Sequence, residues 1–98
     1  MSTKIFDSGE VEAVQIRCAE LRAAMRNCIY VHSNSGARYL VTEVAVDEGS
    51  GVLRVSYCSI DPMMPRPYCW TRTYDEFVEE VVSNAPPYGL VLRFVKEK

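Results

Sequence analysis

Cys28, His32, Cys58 and Cys69 are the residues of this 98-residue chain whose types could do chemistry together. Three residues separate Cys28 from His32, and Cys58 and Cys69 fall on segments that could be neighbouring strands, so one reading is a zinc site. The Cys-x-x-Cys knuckle that usually marks a structural zinc site is missing. A second reading takes Cys69 as a nucleophile with His32 as its base. Cysteine activation needs a supporting environment, however, and the chain has one histidine, no Gly-x-Ser-x-Gly elbow and no phosphate-cradling glycine loop. The expectation is therefore no enzyme and no cofactor, with four reduced cysteines, Cys18 included, serving as small hydrophobes. His32 is expected to be a hydrogen-bonded strand histidine beside Trp70 or Tyr39.

Asp75, Glu76, Glu79 and Glu80 could meet a basic partner or a divalent ion, but such a run reads more simply as the solvated face of a helix and its dipole-favoured first turn. The aromatic residues are the better lead. Tyr30, Tyr39, Tyr57, Tyr68, Trp70, Tyr74 and Tyr88 exceed what a core of this size needs, and tyrosine and tryptophan anchor protein interfaces. In "IDPMMPRPYCWTR", residues 60 to 72, the flexible apolar Met63 and Met64 sit on a stiff frame of Pro62, Pro65 and Pro67. Its Pro-x-x-Pro is a poor SH3 ligand, because Arg66 follows the second proline directly. The stretch reads as a strand connection that presents a binding surface. The candidate set is Met63, Met64, Arg66, Tyr68, Trp70 and Tyr74.

These side chains need elements to hold them. With 48% hydrophobic and 24% charged residues, the chain has the composition of a globular domain. Val11, Val14, Cys18, Leu21, Met25 and Cys28 recur at spacings of three and four, which predicts an amphipathic helix over residues 8–28. Asp7 or Ser8 would cap it, and Ile16, off the stripe, would widen the buried face. The same stripe opens the option of a dimer through this helix, besides a monomer. Residues 29–98 read as "CIYVHS", "RYLVTEVAVD" and "VLRVSYCSI" strands, the proline connection, a "YCWTR" strand, a short helix and a last strand "LVLRFVKEK". Thr73 and Glu76 form a capping box for that second helix, whose apolar face would be Phe77, Val78, Val81 and Val82. Leu53, Val55 and Tyr57 should face the core. Five short strands, tight turns and a helix before the last strand predict one α+β domain over residues 1–98, a small bent SH3-like barrel with an N-terminal helix.

The order Tyr30-x-His32, Gly36, Tyr39-x-Val41, Tyr57, Trp70-x-Arg72 and Phe77 resembles a family of small bacterial and phage domains of unknown function, over roughly residues 29–82. The departure is Thr73, where the family pattern usually has proline. The resemblance implies an SH3-like β fold in a small intracellular protein, and it implies no reaction.

Eleven basic residues against thirteen acidic ones give a net charge of −2, without a basic block to grip a phosphate backbone. No stretch approaches the ~20 apolar residues of a membrane span, and the N-terminus lacks a signal-peptide core. The expected location is the cytoplasm. The expected function is a non-enzymatic protein-binding module, a phage or mobile-element accessory that modulates a host protein. The alternatives are single-stranded nucleic-acid binding, with Tyr39, Tyr57 and Trp70 stacking on bases and Arg38, Arg54, Arg66 and Arg72 on phosphates, and the zinc or cysteine chemistry above.

Overall fold

The computed structural model describes residues 8–63 and 65–97. Asp7 and Met64, a proposed cap and a proposed contact residue, lie outside them. The first element is the expected helix, α1 (Ser8–Met25). It ends three residues earlier than its stripe suggested, because Asn27 takes a left-handed backbone conformation at φ 65°. Asparagine is one of the few side chains that tolerates this region. The Asn27 N–H then donates to the Val41 carbonyl at 2.8 Å, turning the chain into the sheet.

Four antiparallel strands follow, β1 (Ile29–His32), β2 (Arg38–Val46), β3 (Leu53–Ser59) and β4 (Cys69–Thr73). The β2–β3 turn is held by Asp47, whose carboxylate accepts from the Gly49 N–H at 2.9 Å, and by Gly51 at φ 74°. Along β2 the register slips between Val41 and Glu43. A bulge of this kind breaks strict alternation. It lets Val41 and Val44, three residues apart, both point into the core with no exposed surface. On β3 the expected face holds: Val55 and Tyr57 are buried and Leu53 packs against them.

The end of the chain departs from expectation twice. Thr73 and Glu76 do form the capping box that starts α2 (Tyr74–Val78), yet the helix stops there. Residues 80–82, expected as its continuation, form strand β5 (Glu80–Val82). The β-branched pair Val81–Val82 favours an extended chain, and one capped turn is too short a helix to override that preference. The expected single last strand is two, β6 (Leu90–Leu92) and β7 (Phe94–Lys96). β6 pairs with β5, and β7 pairs with β1. Arg93 is the joint between them: its N–H donates to the Glu79 carbonyl and its carbonyl accepts from the Ser33 N–H, each at 2.9 Å.

The main sheet therefore runs β4-β3-β2-β1-β7, with β5-β6 as a separate ribbon. It is not the closed barrel expected from the sequence. The segment that would have to bridge the two outer strands pairs with itself instead.

Both helices cover one face of the sheet. Cys18 and Met25 of α1 are buried there, with Leu21 beside them. Of the stripe proposed as a dimer seam, Cys18, Leu21, Met25 and Cys28 pack against the protein's own core, while Val11 is 40% exposed. Ile16, expected to widen that face, is 56% exposed, since it lies on the opposite side of the helix. Phe77 of α2 sits at the centre, stacked on Phe94 at 4.3 Å between ring centroids and edge-on to Tyr30 and Tyr57 at 5.2 and 5.5 Å.

Candidate functional site

Alternation along β4 puts Tyr68, Trp70 and Arg72 on the helix-covered side of the sheet and Cys69 and Thr71 on the other. Tyr68 extends the ladder beyond the strand proper: the Ser59 N–H donates to its carbonyl at 2.9 Å, and its own N–H donates to Ser59 Oγ at 3.0 Å. Neither described helix covers this end of the outer strand. Tyr68 and Trp70 are therefore about half exposed (53% and 52%), with their rings edge to face at 6.4 Å. Met63, 87% exposed, and the exposed Arg66 belong to the adjoining connection, in which the Met63 N–H donates to the Asp61 carboxylate at 2.9 Å.

Tyr74, the remaining candidate, does not join this group. It lies beneath the Arg17 guanidinium, 5.4 Å from ring centroid to cation, in a cleft that Val14, Val52 and Leu53 also line. Spacing along the chain placed it near Trp70. The capping box turns the chain at Thr73 and carries it to α1.

The backbone of β4 offers little to an added strand. Trp70 and Arg72 exchange their hydrogen bonds with β3, which leaves Cys69 and Thr71 facing outward. On one side Pro65 and Pro67 cannot donate. On the other, the Thr73 N–H donates to the Glu76 carboxylate at 3.2 Å. That carboxyl is held below its ordinary range, first by the Thr73 backbone bond and then by the Thr73 hydroxyl. An edge shortened at both ends limits strand addition, so side chains must carry recognition here.

Cys58 and Cys69 face one another across β3 and β4 with Cα atoms 4.1 Å apart, and they are joined by a disulfide. This corrects the expectation of four reduced cysteines and removes the proposed metal set Cys28, His32, Cys58 and Cys69, since two of its sulfurs bond each other. It equally leaves Cys69 without a free thiolate for nucleophilic attack. Directly opposed strand positions place two Cβ atoms within bonding reach, and spacing alone did not show that these residues are opposed. Cys28 and Cys18 keep free thiols, Cys18 with its Sγ 3.3 Å from the Val44 carbonyl oxygen.

The nucleic-acid set is also dispersed. Tyr57 is only 5% exposed and cannot stack on a base. Arg38 is committed to Glu97 in a two-point ion pair of 2.6 and 2.9 Å, and Arg54 donates to Thr71 on the sheet side away from Trp70.

Beyond Trp70 the same side of the sheet ends in a polar rim that the candidate set omitted. Arg72 Nε donates to the Tyr57 hydroxyl at 3.0 Å. Tyr57 lies edge-on to Phe94 at 5.4 Å, and His32 meets the same ring at 5.2 Å rather than packing on Trp70 or Tyr39. The Ser35 N–H donates to His32 Nδ1 at 3.3 Å. That bond leaves the proton of the neutral ring on Nε2. Burial lowers the His32 pKa, and the charges of Arg93 and Arg72 lower it further. Arg93 pairs with Glu79, and its buried Nε has no hydrogen-bond partner among the described residues. The sequence signal for these residues was the Tyr-x-His and Trp-x-Arg motifs, which supply His32 and Arg72.

Among the described residues no helix is long and apolar enough to cross a membrane. No protein-family model matches the chain, and no curated protein does. Among solved structures it is similar to the crystal structure of a protein belonging to the DUF1653 family from Bordetella bronchiseptica, at a TM-score of 0.58 and 24% identity. The match covers 76% of this chain and 88% of that one, and at this identity it speaks for a shared fold.

Proposed function

We propose that this chain is a non-enzymatic protein-binding module whose contact surface is the outer end of the sheet, built on Tyr68, Trp70 and Met63. One observation carries the reading: two large aromatic side chains lie half exposed and side by side, at an end of the outer strand that neither described helix covers. Tyrosine and tryptophan give large contact area at small conformational cost, and residues of this kind dominate binding energy at interfaces. The disulfide at the base of the 60–68 connection anchors its two ends to neighbouring strands. It so limits the entropy that ordering the connection on a partner would cost. The occupant that fits is an extended segment of another protein. It would lie along β4 across the aromatic pair, making few backbone bonds because the edge is short. A phage or mobile-element origin and a host protein as target rest on the sequence resemblance. The strand order, with the last strand beside the first and a short helix before the last strands, supports an SH3-like arrangement opened out into a sheet.

The test is capture of a partner by wild type, Trp70→Ala and Met63→Asp, each first shown to be folded, followed by titration with the purified partner. A hot-spot tryptophan costs on the order of 2 kcal/mol or more, about thirtyfold in affinity. Equal affinity of all three proteins for every captured partner would sink the proposal.

A further inference from the structure

The two sulfurs of the Cys58–Cys69 bridge do not stand in equivalent places. Both lie on the sheet face away from the helices. Cys69 is exposed on β4, the outer strand, and no further strand of the described residues flanks it. Cys58 is half-buried on β3, with Cys69 on one side and Leu40 of β2 directly opposite it on the other. Directly opposed residues of neighbouring strands project on the same face, so Leu40 stands beside the Cys58 sulfur. The free thiols of the chain are elsewhere. Cys18 is buried beneath α1, and Cys28, which packs against the same core, has its Sγ 3.5 Å from the Ala24 carbonyl oxygen. A thiol that attacks the bridge must therefore come from outside.

Thiol–disulfide exchange is an in-line displacement, in which a thiolate attacks one sulfur from the side opposite the sulfur that leaves, and access decides which sulfur is attacked. For Cys69 that side faces out past the edge of the sheet; for Cys58 it faces Leu40. We infer that Cys69 is an exchange site for a low-molecular-weight thiol, with Cys58 as the leaving and resolving sulfur. In the first step the electron pair of the thiolate forms a bond to Cys69 Sγ, and the Cys58–Cys69 bond breaks with its pair on Cys58. A second thiolate then takes the carried group from Cys69. Two small thiols are oxidised to their disulfide, and one protein disulfide is reduced to two thiolates. Attack of Cys58 back on Cys69 instead restores the bridge. β3 and β4 stay paired throughout, since their ladder runs on from Tyr57 and Trp70 to Arg54 and Thr73. Exchange removes one restraint on the 59–68 connection. Weaker docking as a result rests on the docking proposal; reaction at Cys69 does not.

The test treats the whole folded protein with reduced glutathione, alkylates free thiols rapidly, and places each group by peptide fragmentation. The expected result is glutathione on Cys69 with the alkyl label on Cys58, at least several-fold over the reverse arrangement. Full reduction at higher glutathione should leave the far-ultraviolet circular dichroism unchanged. Because resolution can outrun trapping, Cys58→Ser and Cys69→Ser, each first shown to be folded, are also treated with oxidised glutathione. Cys69 in the first variant should take up glutathione at least several-fold faster than Cys58 in the second. A bridge that resists glutathione until urea unfolds the chain overturns the site, as do adducts mainly on Cys58 or equal rates in the two variants. Exchange is measured without a partner, so docking is read apart from it. If the bridge resists glutathione while Trp70→Ala loses its partner, docking stands and this inference falls. If Cys69 exchanges and a captured partner binds the reduced protein as tightly as the oxidised one, the site stands and its control of docking falls.

Discussion

Phe77 and Trp70 are both large aromatic residues within eight positions of each other, and the structure assigns them opposite roles. Phe77→Ala removes a ring that is 1% exposed and surrounded by Phe94, Tyr30 and Tyr57. The loss combines transfer of the ring with a cavity that neighbours from three strands cannot close, about 3–5 kcal/mol. For a domain of this size that is a large share of a total of about 5–15 kcal/mol. Trp70→Ala removes a larger ring, but one whose hidden half amounts to roughly 100 Å², worth at most about 2.5 kcal/mol at about 25 cal/mol per Å². No cavity contribution is added, because the vacated space opens to water. Urea unfolding followed by far-ultraviolet circular dichroism, under non-reducing conditions, measures both, with an unchanged denaturant slope as the sign that only stability moved. A Trp70→Ala variant that loses as much stability as Phe77→Ala would place Trp70 in the core and refute the exposed recognition surface.

Further outcomes are expected. Thr73→Ala removes the hydroxyl that accepts the Glu76 N–H at 3.1 Å. It should cost about 1 kcal/mol in the same urea experiment. Asn27→Val puts a β-branched residue at φ 65°. The strain there should destabilise the protein by about 1 to about 2 kcal/mol, visible as a lower unfolding midpoint. Thiol titration of the unfolded, unreduced protein should find two reactive thiols, from Cys18 and Cys28, and four after reduction. Replacing Cys58 and Cys69 together by serine, which opens a bridge between positions 11 apart in sequence, should cost about 3 kcal/mol. His32 has a folded pKa below its ordinary 6.5. Its contribution to stability is therefore present above that value and is lost as pH falls from it toward the folded pKa. His32→Asn should accordingly flatten the loss of stability between about pH 7 and about pH 5. A variant as pH-sensitive as wild type in that window would contradict the assignment.

Local pattern and tertiary placement divide this molecule clearly. The helical stripe of α1, the two-residue period of Leu53, Val55 and Tyr57 and the Thr73–Glu76 capping box are properties of neighbouring residues, and each was legible because the forces that set it act within a turn or a strand. An excess of aromatics next to prolines was legible too, but the exposure of Met63, Tyr68 and Trp70 came from the structure. What the chain could not disclose locally is which distant residues become neighbours. Cys58 meets Cys69 only once the register of β3 and β4 is set, and Tyr74 leaves Trp70 only once the capped turn carries it toward α1. Val81 and Val82 suited either a helix or a strand, and pairing with residues 90–92 decided between them. The polar rim is the sharpest case, since Arg72 and His32 stand on strands separated by two others. Arg72 reaches the Tyr57 hydroxyl and His32 packs on Phe94, contacts that depend on how the sheet bends and on what covers it, and the bulge at residues 41–43 left that to tertiary structure.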